Sequence, residues 1–410
     1  MRSRNIFTVY GWQLVSRILP QVLSFGVSVA TVRFAGVDAV GMYAISVAVA
    51  LLSSGLFAAA LDTHLLRRQE NASAGLVVAA KLLVWVCVTP IAAASLRVLD
   101  VPLIGGLAIY AALFFAQAAE TTAVAARLEN KDVGAVTPRV VPLATFLIAM
   151  IVIKPVSFEN VAGLFLLSWA VVLFIPNVRR HVFTLASQRE IRGLLWAARG
   201  IVGMLFFTQV YGNVDLILVK VFLNHTAAGE YRIAQSFAAV LMPSIAVLTF
   251  VYLSQLRPVI ARKDAVRLQR MLLQQIILHV TVGLMVVLAM SVFLPWGISF
   301  FYGIGAKPAV APALVLCGAA ALNAVGMVLV YTLLGLEKDQ SVLKATGVAA
   351  VASIAFSIFM VPIYGTSGAA WAMVLTFITM TAALSIMTRR ALRIFAEPLQ
   401  GNGRLVDKAI

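Results

Sequence analysis

Charged residues are scarce in this sequence, and acidic residues are the scarcest of them. Only 12% of the 410 residues are charged, and 16 acidic residues stand against 32 basic ones. Hydrophobic residues make up 62% of the chain, and the mean hydropathy is +0.98. A soluble domain of this size needs a polar exterior that so few polar residues cannot supply. The composition therefore excludes a soluble domain and predicts a polytopic membrane protein.

Cysteine and histidine are also rare, which argues against metal and redox chemistry. Cys87 and Cys317 lie in separate apolar runs, and the 4 histidines are scattered along the chain. Neither set has the close spacing of a metal-ligand motif. We interpret both cysteines as ordinary small apolar residues, and we predict neither a metal site nor a cofactor.

Long polar segments are missing as well, so no link has room for a soluble domain. A hydrocarbon core of ~30 Å needs ~20 helical residues to cross. Twelve apolar runs meet this need, which predicts an all-α fold of twelve transmembrane helices, here called spans one to twelve. The runs lie near residues 10–33, 40–62, 74–96, 103–126, 135–153, 161–176, 194–222, 229–254, 270–294, 310–333, 342–361 and 366–388.

The first run follows a basic start, as the apolar core of a signal peptide does. It continues to about residue 32, beyond the ~7–15 apolar residues of a secretory signal, and it contains Gln13, Arg17 and Gln21. We therefore interpret it as a retained first span.

The net charge of +16 raises the question of nucleic-acid binding. The basic residues are spread between apolar runs rather than gathered in one patch, so we predict no nucleic-acid partner. With both termini in the cytoplasm, most Lys and Arg residues fall on the inner side, which is the distribution that membrane proteins follow. The outer links then hold only Arg33, Arg97, Lys154, Lys220, Arg232 and Lys307.

The two halves of the chain resemble each other. Gly41-Met42-Tyr43 opens span two and Gly229-Glu230-Tyr231 opens span eight, and superimposing the two tyrosines places Gln21 on Gln209 without a gap. Such repeats are typical of secondary transporters. The pattern predicts two six-helix repeats, in parallel orientation, around a central cavity. The predicted units are residues 1–176, a basic cytoplasmic linker 177–193, residues 194–392 and a cytoplasmic tail 393–410.

Span one carries a polar stripe. Gln13, Arg17, Gln21, Ser24 and Ser28 share one helical face by their spacing, and such a face avoids lipid tails. The stripe faces either neighbouring helices, as a hydrogen-bonded seam, or a water-filled cavity. We favour the cavity because an arginine lies at its centre, and we predict Arg17 and Gln21 as substrate-path residues.

Three further ionisable residues lie inside predicted spans, where a charge normally faces a bundle interior. Lys81 and Glu120 fall near the depth of Arg17, which predicts a cluster with net positive charge. Alternatively, Lys81 extends to the inner interface, or Glu120 simply pairs with Arg17 or Lys81. Asp215 is either an ion-coupling carboxylate or a structural partner of Tyr231 or Arg232. Lys81, Glu120 and Asp215 complete the predicted path.

Several short motifs resemble one family. These are the Asp215-containing helix before Gly229-Glu230-Tyr231, the stretch VPIYGTSGAA at residues 361–370, and FYGIGAKPAVAPALVLCG at residues 301–318. Together with twelve spans in two parallel halves, they are similar to the polysaccharide (Wzx-type, O-antigen) flippases of the multidrug/oligosaccharidyl-lipid/polysaccharide exporter superfamily. One departure is Phe158-Glu159-Asn160, where the family pattern has Tyr-Gly-x-x-Gly.

The resemblance implies a transporter of the bacterial inner membrane rather than an enzyme. The implied substrate is a polyprenyl-diphosphate-linked oligosaccharide, flipped by alternating access for surface or exopolysaccharide synthesis. Further expected partners are membrane lipids and the polysaccharide polymerase machinery. The alternatives are a multidrug or lipid II exporter of the same superfamily and a membrane-embedded glycan polymerase. The polymerase is disfavoured because it needs a substantial outer link with catalytic groups.

The predicted topology can be tested with single cysteines in a variant that lacks Cys87 and Cys317. We expect Glu159→Cys and Gly305→Cys to react with a membrane-impermeant thiol reagent in intact cells, whereas Lys338→Cys reacts only after the cells are opened. Reaction of all three from outside would contradict the alternation of the links.

Overall fold

The structure is a computed structural model that describes residues 6–68, 74–128, 132–182 and 186–406. Within these ranges, the side chains of residues 6–17, 66–68, 127, 132–135, 240–251, 253, 254, 257 and 396–406 lie outside the described part. Every regular element that is described is a helix, which confirms the predicted all-α class.

The first half of the chain begins with one long helix, Ile6–Ala50, which continues through the π-helical turn Leu51–Gly55. A second group of helices completes this half. These helices are Leu56–Arg68, Ala74–Val98, Leu103–Leu128, Asp132–Ile153 and Phe158–Ala170, followed by the 3-10 turn Val171–Phe174 and the short helix Pro176–Val182.

The second half repeats this arrangement with longer helices. Its elements are Gln188–Phe222, His225–Ala261, Ala265–Tyr302, the 3-10 segment Ile304–Ala309, Val310–Gly335 and Asp339–Val406.

Two of these helices each contain two spans. The first long helix breaks at Gly36 (φ 90°) and the last at Gly365 (φ 62°), in the left-handed region that glycine adopts without steric cost. Eight described helices are long and apolar enough to cross a membrane, and the bent pair Phe158–Phe174 and Pro176–Val182 makes a ninth. With the two breaks and the 37-residue helix His225–Ala261, the described chain forms the twelve predicted spans.

Span one thus ends at Gly36, close to the end of the run predicted near residues 10–33, but no loop follows it. Asp38, which falls between the first two predicted runs, lies in the first turn of span two. The chain turns directly from one span into the next, which brings the outer end of span two close to span one.

The connection between the halves is more ordered than the sequence predicts. The short helix Pro176–Val182 lies at 97° to span six, and span seven begins at Gln188 rather than near residue 194. Ser187 caps span seven, since its hydroxyl accepts a hydrogen bond from the Glu190 backbone N–H and the Glu190 carboxylate accepts one from the Ser187 backbone N–H. This reciprocal pair is a capping box, which satisfies two backbone donors at a helix start.

One continuous core crosses both halves, with Val27, Ala44 and Ile45 from the first half and Leu216 and Ile233 from the second. Large apolar side chains also cover the outside of the bundle. In water such exposure would promote aggregation, whereas in a bilayer these residues contact lipid tails. Examples are Ile104, Phe174, Val292, Phe359 and Ile363, each at least 70% exposed.

Candidate functional site

Inner and outer refer to the orientation predicted from the sequence, with both termini in the cytoplasm. The polar stripe of span one faces the second half of the molecule. At its outer end, Ser28 accepts a hydrogen bond from Tyr302 Oη (3.2 Å) and lies 3.5 Å from Ser236 Oγ. Ser24 and Gln21 lie one and two turns further inward on the same face, and both are exposed. Because Ser28 fixes the orientation of that face, Gln21 and Ser24 line the space between the halves.

Arg17 continues this stripe toward the inner end of span one. Its backbone is helical, but its side chain lies outside the described residues. The position of Arg17 on the stripe therefore follows from the helical spacing to Gln21, four residues later.

Span seven carries a polar pair at the position equivalent to Gln21. Gln209 is the repeat equivalent of Gln21, and its side-chain carbonyl accepts a hydrogen bond from Asn213 Nδ2 at 3.0 Å. Both residues are partly buried. Sequence comparison of the halves aligned the two glutamines, and the structure adds the contact between Gln209 and Asn213.

Lys81 is held inside the first half. Its side chain is 1% exposed, and its ammonium donates hydrogen bonds to Asp62 Oδ2 (2.7 Å), Thr121 Oγ1 (2.6 Å) and the Gln117 carbonyl (3.0 Å). The Thr121 hydroxyl lies 2.9 Å from the other carboxylate oxygen of Asp62. All three ammonium protons therefore have acceptors, and the alternative in which Lys81 extends to the inner interface is wrong.

Glu120 forms a two-point ion pair with Arg139 of span five. This planar arrangement is the strong form of a carboxylate–guanidinium contact. Pairing was one of the alternatives for Glu120, and among the described side chains its partner is Arg139 rather than Lys81. The reason is geometric, since span five packs against span four on the side where Glu120 points.

Asp215 is a structural partner within the second half. Its side chain is 1% exposed and accepts a hydrogen bond from Tyr231 Oη, while its other oxygen accepts the backbone N–H of Leu216 at 2.8 Å. This contact joins span seven to span eight. Of the two partners that the sequence suggested, Tyr231 is the one that contacts Asp215.

Lys81 and Glu120, two members of the predicted cluster, therefore belong to separate ion pairs. Sequence reasoning missed Asp62 and Arg139, which lie at the ends of predicted spans two and five. A usable signal existed, because a buried lysine needs a carboxylate partner at its own depth. Among the described side chains of the first half, the Asp62–Lys81 and Glu120–Arg139 pairs sum to zero charge. The positive excess predicted from the sequence therefore depends on Arg17.

The outer ends of the halves meet through a reciprocal glycine contact. A Cβ added to Gly41 would lie 2.0 Å from the carbonyl oxygen of His225, and one added to Gly229 would lie 2.1 Å from that of Val37. In the repeat alignment Gly41 matches Gly229, and Val37 matches His225. Each half therefore presents the same surface to the other, as a two-fold axis requires.

Aromatic rings close the space below the glycine contact. Phe25 of span one packs edge-on against Phe237 (5.2 Å between ring centroids), Phe301 (5.3 Å) and Tyr302 (5.8 Å) of the second half. This ring cluster lies just outward of the exposed stripe residues, so it forms the outer end of the path.

Two polar links reinforce the outer closure. Arg33 Nε donates to the Phe301 carbonyl at 2.8 Å, and its guanidinium also donates to the Phe300 carbonyl, at the negatively polarised end of span nine. Lys220 pairs with Asp100 at 3.3 Å. Both contacts cross between the halves, and both lie at the outer surface, where a single ion pair contributes at most ~1 kcal/mol.

The inner end of span seven also packs against the first half. Ile191, Leu194 and Ala198 pack in one buried cluster with first-half residues of spans two, three and four. The first-half members are Leu61, Leu65, Val77, Ala80 and Val124. The seam between spans two and seven is therefore closed at its inner end by apolar contacts.

No family model and no curated protein matches this sequence. Among solved structures, the lipid II flippase MurJ in an inward closed conformation aligns with a TM-score of 0.77 at 13% identity, over 93% of this chain and 89% of that chain. An inward-facing multidrug resistance MATE transporter of the MOP superfamily aligns with a TM-score of 0.70 at 14% identity, over 92% and 95%.

A third similar structure is a MOP superfamily transporter from Pyrococcus furiosus, described as having a binding pocket of reverse polarity. It aligns with a TM-score of 0.62 at 15% identity, over 93% of this chain and 96% of that chain.

The buried pair in the first half yields a test of whether Lys81 is structural. Lys81→Met leaves Asp62 buried without its partner, which costs ~3–5 kcal/mol, so we expect a large drop in the thermal unfolding midpoint of the purified protein. Adding Asp62→Leu should restore most of the midpoint, and Lys338→Met, at an exposed position, should leave it unchanged. A stable Lys81→Met protein would contradict the structural role.

The glycine contact makes a second, independent prediction. In a cysteine-free variant carrying Ser24→Cys, adding Gly41→Ala or Gly229→Ala should speed thiol labelling from the outer side. Overpacking of ~1–3 kcal/mol corresponds to roughly tenfold. Gly212→Ala is the control, because a Cβ there meets no atom within 4 Å. Equal rates in all variants would show that the glycines do not maintain the closure.

The three alignments cover nearly the whole chain, and at 13–15% identity they show that this protein has the twelve-helix fold of the lipid II flippase and MATE transporter structures of the MOP superfamily.

Proposed function

We propose that this protein is an alternating-access transporter that flips a polyprenyl-diphosphate-linked oligosaccharide across the bacterial inner membrane. The fold supports transport, because two pseudo-symmetric halves face each other across the exposed stripe of span one and pack together at its outer end. The transported head group would occupy the space lined by the exposed stripe of span one, while the lipid tail stays in the bilayer. No covalent chemistry is required of any side chain.

The observation that carries the substrate class is the sign of the charges along the path. Asp62 and Glu120 are each paired with a basic residue, and Asp215 is buried against Tyr231. Each of these carboxylates therefore already has a hydrogen-bond partner, and an organic cation would gain little from them. Arg17 lies on the stripe beside Gln21, so the stripe favours an anionic group such as a diphosphate.

The shared fold also accommodates a drug exporter, which is the second candidate. A MATE transporter is among the similar structures, as is a MOP transporter described as having a pocket of reverse polarity. Transporters of one fold thus differ in the polarity of their pockets. For this chain, the paired carboxylates favour the anionic substrate over a cationic drug.

A deletion strain separates the two candidates. We expect deletion to remove a surface or secreted polysaccharide and to leave resistance to cationic dyes unchanged. Complementation with the wild-type chain should restore the glycan, Arg17→Ala should fail, and Arg17→Lys should restore part of it because the positive charge returns. Membrane levels of each variant, measured by immunoblot, control for loss of the protein.

Two outcomes would count against the proposal. Intact glycans with raised dye sensitivity would favour the drug exporter. Full glycan synthesis by Arg17→Ala, at normal protein levels, would remove Arg17 from the substrate path and leave only the transporter assignment.

A further inference from the structure

A second cavity lies on the outside of the seam between the halves, away from the polar stripe. It has a volume of about 700 Å³, within the range of ~300–1,000 Å³ that small-molecule sites occupy. Spans two, three and seven form its walls, so both halves contribute to it. Residues along these walls include Val49, Leu52, Ile91, Ala94, Val98 and Ile217. We call this cavity the seam groove.

The seam groove is apolar to an unusual degree. Its hydroxyl groups belong to Ser53 and Ser95, and each donates to the carbonyl one turn earlier in its own helix, at 2.7 Å and 2.9 Å. The serine hydroxyls are therefore already satisfied and offer no proton to a polar ligand. Only an apolar occupant gains free energy by entering such a groove.

The groove lies where two helices depart from regular geometry. Span two makes its π-helical turn at Leu51–Gly55, and span three contains Pro90, which has no backbone N–H to donate. π-helical turns are frequent at functional sites. Both irregularities occur beside the groove, and they leave a depression where regular helices would pack more evenly.

The length of the groove matches one leaflet of a bilayer. Along span three it extends from Pro90 to Leu99, which is a rise of ~13 Å. Half of the hydrocarbon core measures ~15 Å. A single acyl chain of a phospholipid therefore fits along the groove, whereas a much longer polyprenyl chain would extend beyond it.

A basic residue near the end of the seam groove indicates which lipid head group would bind there. Span three ends at Val98, and the exposed Arg97 lies in its last turn, at the level where lipid phosphates lie. The ion pair between Lys220 and Asp100 is at the same end and joins the two halves. A guanidinium is well suited to a phosphate because it donates two parallel hydrogen bonds.

We propose that the seam groove is a binding site for one acyl chain of a phospholipid from the leaflet in which span three ends, with the lipid phosphate beside Arg97. The chain contacts Ile91 and Val98 of the first half and Ile217 of the second. This site is separate from the polar stripe and does not depend on the identity of the transported substrate.

Photolabelling of the full-length protein tests the proposal. The protein is reconstituted in vesicles of phosphatidylethanolamine and phosphatidylglycerol that contain phosphatidylglycerol with a diazirine in its acyl chain. After illumination, mass spectrometry maps the labelled residues. We expect labelling at Ile91, Ala94 and Val98 to exceed labelling at Leu82, a partly exposed residue of span three that lies outside the groove.

Variants sharpen the test. Ala94→Trp fills the groove and should reduce its labelling by about tenfold, whereas Leu82→Trp, the matched control, should not change it. Arg97→Gln should also reduce labelling, since the phosphate loses a charged donor. Because wild-type labelling already distinguishes the two faces of span three, the test does not depend on the stability of any variant.

Two results would overturn the proposal. Equal labelling of the groove and of Leu82 in the wild-type protein would mean that lipids merely surround the helix. Loss of labelling when a long polyprenyl phosphate is added, without the same loss from equal unlabelled phosphatidylglycerol, would assign the groove to a polyprenyl chain. Neither result bears on whether deletion of the protein removes a polysaccharide.

Discussion

The outer contact between the halves depends on two backbones that approach closer than any side chain allows. Gly41 of span two packs against the backbone carbonyl of His225, and Gly229 of span eight packs against the backbone carbonyl of Val37. Because the halves are repeats, one close approach implies the other, and both fail if either position carries a Cβ. Asp38 and Thr226, 188 residues apart and equivalent in the repeat, lie 3.5 Å apart beside this contact.

The remaining outer contacts are arranged around that approach. Phe25 reaches Phe237 and Tyr302 only because spans one and eight lie close together, and Arg33 reaches the end of span nine for the same reason. These contacts belong to a wider interface, in which spans one and two pack along span eight. Such a closure suits a transporter, since packed interfaces with few alternative arrangements change state as units.

The charged groups embedded in the first half are held by pairing with each other. Inside the membrane an unpaired ion is costly, so the embedded Asp62–Lys81 and Glu120–Arg139 pairs stabilise the first half and leave little charge for a ligand. The prediction that Lys81 and Glu120 line the path remains untested, but their present contacts are structural. Among the described side chains, span one contributes the exposed Gln21 and Ser24 to the space between the halves.

The sequence by itself determined the class of fold, the twelve spans and the relation between the halves. These features arise from local properties, namely the length of apolar runs and the similar motifs that end at Tyr43 and Tyr231. Only the tertiary structure decided which charged groups pair. Lys81 meets Asp62, 19 residues earlier, and Lys220 meets Asp100, 120 residues earlier. Hydrophobic periodicity shows how deep a residue lies, but a partner also depends on how each helix is rotated, and packing between distant segments sets that rotation.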